Sequence, residues 1–195
     1  RTHVLYDSAL ERVHAMAQVE RAALSMTQPL WSSLYGSLRV PGIDSIPTTQ
    51  DIIYSPISPD YFETMGARVL QGRAFDDGDV PGAPPVVVIT QSLARVLWPD
   101  GSALGRCVVT EREGESCREI VGVVEDTRYS SVLDAPALMF YLPMAQVPGR
   151  GTMRGLLVRL RGDTDAGMAA VRAALHTLEP GLPYVRADIL AERVA

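Results

Sequence analysis

The sequence predicts an α+β chain built as two lobes, one made from both chain ends and the other inserted between them. A helix followed by a strand is repeated at residues 8 to 26 and 164 to 190. The stretch between, centred on Ser58 to Arg106, has another rhythm, with two short helices alternating with two strands. The division this suggests is 1–54 with 151–195 for the lobe of the ends, and 55–150 for the inserted lobe. Composition permits it, since 195 residues, 47% apolar and 21% charged, suffice for one large domain or two small lobes with cores.

In the first unit Ser8-Ala9-Leu10-Glu11 fits a capping box, and Leu10, Val13 and Met16 or Ala17 form the apolar stripe of a helix over 8–17. Val19 to Met26 then reads as a strand. Residues 28–50 carry Pro, Gly and Ser among scattered large apolar groups and read as a long connection. Its Trp31, Leu34 and Tyr35 are either a partner-contact surface or side chains folded back onto the domain. Ser58 is placed to cap a short helix, Pro59 suits its first turn, Tyr61, Phe62 and Met65 supply its bulk, and Gly66 stops it. Arg68 to Phe75 reads as extended and Asp76-Asp77-Gly78-Asp79 as a turn. Val86 to Ile89 is wholly β-branched, the composition of a strand buried on both faces. Thr90 is placed to cap a second helix with Leu93, Ala94 and Leu97 on one face, closed by Pro99-Asp100-Gly101.

Gly105 to Glu111 and Arg118 to Asp126 read as two strands joined through 112–116, with Gly122 marking a bulge or a close backbone approach. Residues 127–137 read as a loop, Leu138 to Leu142 and Gly155 to Leu160 as strands. Asp163 or Thr164 then caps a helix to Leu178 that presents Met168, Val171, Leu175 and Leu178 on one face. Pro180-Gly181 ends it, and Pro183 to Leu190 supplies the last strand.

The residues offer little for chemistry. All 18 basic residues are arginine, so a P-loop lysine and a Schiff-base lysine are excluded, and with no asparagine so is N-linked glycosylation. A net charge of −5 argues against a nucleic-acid partner, which needs a clustered positive surface. His3, His14 and His176 have no metal-ligand spacing, and His14 and His176 fall on polar helix sides. Asp76, Asp77 and Asp79 lack the alternating ligands and distal glutamate of a calcium loop and read as a solvated turn. No catalytic, cofactor or metal residue is nominated. Cys107 and Cys117 stand out: in a hairpin turning near Arg112 they fall almost opposite one another, with Cβ atoms about 4.5–5.5 Å apart. They form either a disulfide, which requires an oxidising compartment, or a pair of buried free thiols. No apolar run approaches the roughly 20 residues that span a bilayer. The start at Arg1, with neither methionine nor signal peptide, is that expected of an excised fragment.

The order and spacing of several pieces carry a resemblance. Tyr61-Phe62 with Gly66, Leu70-x-Gly72-Arg73-x-Phe75, the valine run from Val86, Leu93-Ala94-Arg95, Trp98-Pro99 with Leu104-Gly105, and Ile120 to Val124 cover about half the chain. Together they are similar to the MacB-like periplasmic core domain of ABC-transporter permeases of the MacB and FtsX type. The resemblance implies an extracytoplasmic, non-catalytic domain without cofactors, held on the periplasmic face of the membrane as part of an integral membrane protein. Its partners would be its own transmembrane helices, a cytoplasmic ATPase, a second permease subunit or domain, and a periplasmic adaptor. It would carry ATPase-driven conformational change to export or to that adaptor. The lobe of the ends would be a split βαβ lobe (ferredoxin-like, porter-type), and the inserted lobe a mixed α/β one. Such a lobe needs a fourth strand before its first helix, where only Arg1 to Tyr6 stand, so a neighbouring strand is expected to have an unpaired edge. Two other classes remain: a standalone extracytoplasmic solute- or protein-binding module, and an enzyme with an unrecognised site.

Overall fold

The computed structural model describes residues 2–28, 32–110, 117–126, 136–147, 155–178 and 186–190. Among them the chain forms helices α1 (Thr2–His14), α2 (Tyr61–Met65), α3 (Gln91–Leu97) and α4 (Thr164–Leu178). The strands are β1 (Val19–Ser25), β2 (Leu34–Tyr35), β3 (Leu38–Arg39), β4 (Ile52–Ile57), β5 (Val69–Gly72), β6 (Val86–Thr90), β7 (Cys107–Thr110), β8 (Cys117–Val124), β9 (Leu138–Pro143) and β10 (Gly155–Leu160). All belong to one mixed sheet of order β10-β1-β4-β9-β6-β8-β7-β3, with β2 beside β4 and β5 beside β8.

Alternation through the sheet builds two apolar layers. In β6, Val87 and Ile89 face a cluster with Leu93 and Leu97 of α3, while Val86 and Val88 face the opposite cluster with Tyr61 and Phe62 of α2. The same alternation in β9 sends Leu138, Phe140 and Leu142 to the α3 side and Met139 and Tyr141 to the α2 side. A strand used on both faces has no polar register, which explains the unbroken β-branched run at Val86 to Ile89. A third, smaller cluster lies at the edge, where Val13 of α1 and Val171 of α4 cover Val19 and Ala22 of β1.

The link between that edge and the rest of the sheet is narrow. β1 and β10 form an antiparallel ribbon from Val19↔Leu160 to Ser25↔Gly155. β1 meets β4 only at Ser25↔Ile57, and β2 takes up the edge of β4 at Leu34↔Tyr54 and Tyr35↔Ile53. The division expected between residues 54 and 55 falls inside β4, whose backbone runs unbroken from Ile52 to Ile57. Leu38 and Val40, placed by sequence in the lobe of the ends, pack with Val108 and Ile120 in the α3-side cluster. Residues 28–50 are therefore more than a connection, since β2 and β3 lie within them.

Several expected caps are corrected. α1 begins at Thr2 rather than Ser8, because Leu5 and Tyr6 continue the partly buried side one turn before Ala9 and Leu10. Ser8 and Glu11 therefore lie inside the helix, where a capping box has no function. Ser58 does not cap α2: its Oγ accepts the N–H of Leu24 at 2.9 Å, tying β1 to the start of the helical turn. Thr90 makes no side-chain cap to α3, because its Oγ1 bonds the backbone of Met139 in β9. Asp163 does cap α4, its Oδ1 accepting the N–H of Ala166 at 2.9 Å. Gly66 ends α2 in the left-handed region (φ 73°), with its own N–H and that of Ala67 satisfying the carbonyls of Glu63 and Phe62.

The strand expected over Pro183 to Leu190 is not formed in its described part, where 186–189 carry no regular structure. Among the described residues no strand precedes α1 and β10 has β1 as its one neighbour. Among the described residues, the ladder a split βαβ arrangement would give 186–190 is thus missing.

Candidate functional site

Among the described residues no group of three His, Cys, Asp or Glu side chains is placed to hold a metal ion, and no helix is long and apolar enough to cross a membrane. His14 is exposed and its Nε2 donates to the carbonyl of Ala22 at 2.9 Å, so it fastens α1 to β1. His176 is exposed on α4. The side chain of His3, like Trp31, lies outside what is described. Leu34 packs against the α3-side core, whereas Tyr35 is 65% exposed, so the three residues grouped as a contact surface do not share one environment.

The aspartate turn is corrected in one respect: Asp79 is not solvated. Its side chain is 6% exposed and receives two bonds from Arg73, Nη1 to Oδ2 at 2.8 Å and Nη2 to Oδ1 at 2.9 Å, and a third from the N–H of Asp76 at 3.0 Å. Burial pushes the Asp79 carboxyl up, but the Arg73 and Asp76 hydrogen bonds and the guanidinium charge outweigh it, leaving the pKa below its ordinary value. Arg73 is raised, chiefly through its hydrogen bond to Asp79.

Cys107 and Cys117 lie in the β7–β8 hairpin. The register sets Cys107 opposite Glu119 and Cys117 opposite Val109, so the two occupy a diagonal on one face rather than opposed positions. Their Cα atoms are 5.6 Å apart with the sulfurs in contact, a span that suits a disulfide.

A set of specific contacts surrounds the narrow joint at β1 and β4. Ser55 Oγ in β4 accepts from Thr27 Oγ1 at 2.6 Å and lies 2.9 Å from Ser25 Oγ, and all three residues are at most 1% exposed. Backbone bonds Met26 N–H to Pro56 O and Ser58 N–H to Leu24 O, each 2.9 Å, bracket these hydroxyls. On the α2 face, Arg21 of β1 and Arg159 of β10 stand directly opposite each other. Like charges in that relation repel, and the last turn of α2 answers both. Glu63 Oε2 is 3.0 Å from Arg21 Nε, and the carbonyl of Thr64 accepts from Arg159 Nε at 2.9 Å. A helix C-terminus presents carbonyls and partial negative charge, so it suits two cations. The other side of α2 is held by Phe62, whose ring packs edge-on against Tyr141 at 4.9 Å between centroids. The arrangement fastens a short helix to two parts of the sheet. Sequence reasoning found α2 but not this use, because the Arg21–Arg159 register pairs residues 138 positions apart in the chain.

A family model described as MacB-like periplasmic core domain matches residues 4–178. The macrolide export ATP-binding/permease protein MacB 1/2 of Paracoccus denitrificans is 29% identical over 119 residues, covering 59% of this chain and 17% of that protein. The corresponding MacB of Bartonella henselae is 26% identical over 172 residues, covering 85% of this chain and 25% of that protein. This chain thus spans a quarter or less of the length of those relatives. Among solved structures, the periplasmic region of MacB from Actinobacillus actinomycetemcomitans shares the fold with a TM-score of 0.64 at 20% identity, over 88% of this chain and 73% of that one. The extracellular domain of the noncanonic ABC-type transporter YknZ from Gram-positive bacteria does so with a TM-score of 0.61 at 18% identity, over 88% and 82%. The chain belongs to the MacB-like periplasmic core domain family, as the periplasmic domain of an ABC-transporter permease.

Proposed function

We propose that this domain is a non-catalytic transmitter, through which the ATP-driven movements of a permease reach the outer face of the membrane and act on export or on a periplasmic partner. It would work as two lobes: a terminal unit of α1, β1, β10 and α4, and a larger unit carrying the rest of the sheet. The larger unit would be the arm that meets a partner, with Tyr35 the exposed member of the expected contact group, and a cytoplasmic ATPase, a second permease subunit and an adaptor as partners. A Cys107–Cys117 disulfide would brace that arm, in keeping with an oxidising compartment.

One observation carries the reading beyond family membership: both terminal helices pack on one face of a two-stranded ribbon. α1 enters β1 through residues 15–18 and α4 leaves β10 through 161–163, each connection too short to do other than fold the helix back along its strand. The start of α1 and the end of α4 are thereby directed to the same end of the ribbon, as two attachments to one membrane require. Driven there, the terminal unit would move as a rigid body and the larger unit would swing with it.

The test is made in the full-length protein in its membrane. Larger units of two copies cross-linked through engineered surface cysteines should stop export, followed with a macrolide as probe because relatives are named for that class, while nucleotide still binds. Export at full rate under complete cross-linking would overturn the reading.

A further inference from the structure

We propose that α2 is the clutch of this domain, the element that makes the terminal unit and the larger sheet move as one body, and that the Arg21–Arg159 pair is what engages it. Without α2, the two parts are joined among the described residues by one ladder position, Ser25↔Ile57, with flanking backbone bonds, the Leu24 N–H to Ser58 Oγ bond and the Ser25–Ser55–Thr27 hydroxyls. A joint so narrow resists sliding but offers little resistance to bending, because a single antiparallel contact has no length along which to set an angle. α2 supplies the second point of attachment. It sits off the plane of the sheet, so contacts through it oppose rotation about the β1–β4 line.

The two sides of α2 are built differently. Tyr61 and Phe62 are 2% and 1% exposed and merge with Phe75, Val88 and Tyr141, which fixes the helix to the larger unit by packing. Towards β1 and β10 the grip is largely polar: Arg21 to Glu63 and Arg159 to the Thr64 carbonyl, with Ala23 and Leu157 the ribbon's apolar contribution. The opposed arginines make the grip conditional. With Glu63 and the helix terminus in place their repulsion is answered, and with α2 withdrawn it returns to the ribbon. Closeness is allowed for as well, since a Cβ at Gly66 would lie 2.7 Å from Arg159 Nη2. An apolar seam would be permanent, whereas this one can be released by changing two side chains without emptying a core.

The consequence for export rests on the transmission reading above, but the coupling itself does not, and the experiment separates them. Spin labels are placed at Ala169 on α4 and Arg95 on α3, both exposed, in the full-length protein in lipid nanodiscs. Their distance distribution is measured with and without ATP. The parent should give one narrow distribution in both states. In E63Q with R159M, which keep side-chain size, the distribution should at least double in width, whereas the charge swap R21E with E63R, made in the otherwise unchanged protein and retaining an ion pair, should keep it narrow. Should the double variant fail to fold, E63Q alone is read the same way, with a smaller broadening. R68M, which breaks an exposed ion pair within the larger unit, should leave the width unchanged. An unchanged width in E63Q with R159M, or a parent already broad, overturns the proposal. A broadening in a variant that still exports at the parent's rate supports the clutch and counts against the transmission reading alone.

Discussion

Arg73 and Asp79 face each other across the turn after β5 in a two-point bond, with N–O distances of 2.8 and 2.9 Å. The carboxylate is buried while the arginine side chain remains 43% exposed, so the pair anchors the turn without isolating two charges in the core. The arginine is the G-R of the L-x-G-R-x-F segment, and its partner is the last aspartate of a run that reads as solvated.

Replacing Asp79 by Asn should destabilise the domain by about 1.5–3 kcal/mol at neutral pH, the usual worth of hydrogen bonds to a charged group. The sign of the pH dependence follows from the lowered carboxyl pKa in the fold. In the unfolded chain the group titrates near about 3.9, so its contribution is complete above that value and is lost as pH falls through the lower folded value. Urea midpoints of parent and D79N between pH 2.5 and 7 should therefore converge below about pH 4. A gap that stays constant over the range would show that the carboxylate charge is not what holds the turn.

Asp126, just past β8, takes over the cap that Thr90 gives up. Its Oδ1 accepts the N–H of Ser92 at 2.7 Å and its Oδ2 the hydroxyl of Ser92 at 2.8 Å. Asp126→Ala should cost about 0.5–2 kcal/mol, the range of lost N-caps, and Thr90→Val should act mainly through the lost bonds to β9. Denaturation midpoints of the two single variants and the double variant check this. Since the two side chains serve different elements, their effects should nearly add. A large departure from additivity would join them in one network.

Legibility followed locality. Gly66, the β-branched run of β6, the stop after Leu97 and the α4 cap at Asp163 each declare themselves within a few residues, so the sequence reading and the structure agree there. The misplaced caps share one cause. Ser58 and Thr90 are hydroxyl residues with two uses, and partners in β1 and β9, remote in sequence, outbid the local amides. Arg118 went unread: by sequence it is only the start of a strand, whereas it shares the buried side of β8 with Ile120. Its Nη1 donates to the carbonyl of Val86 and to Gln146 Oε1, at 3.1 and 3.0 Å, partners remote in sequence. The joint at α2 was not legible, because nothing local announces that Arg21 and Arg159 share a rung.

A Cys107–Cys117 bridge would close a short loop, for which the chain-entropy account gives about 2–3 kcal/mol. Thiol titration of denatured, unreduced protein should find no reactive thiol, and reduction should lower the denaturation midpoint by a corresponding amount. Two reactive thiols per chain in protein prepared from an oxidising compartment would reject the bridge.

Gly122 gives the most local test of how β8 holds three strands at once. β8 pairs with β6 along one edge, and β7 and β5 share the other, with Gly72↔Gly122 in the β5 ladder. The carbonyl of Arg73 lies where a Cβ at 122 would stand, and Val88 Cγ2 is 3.3 Å from that point. Neither neighbour is free to give. The first is backbone just before the anchored Asp79 turn, and the second belongs to a fully buried strand. Gly122→Ala should therefore force β5 away from β8, with a cost at or above the roughly 1–3 kcal/mol of an overpacked core. Amide exchange would locate the damage: protection should fall at Arg73 and Gln71, while β6 and β9 retain theirs. If protection fell evenly across the sheet, the three strands would be one cooperative unit at this point and the close approach would not be a local constraint.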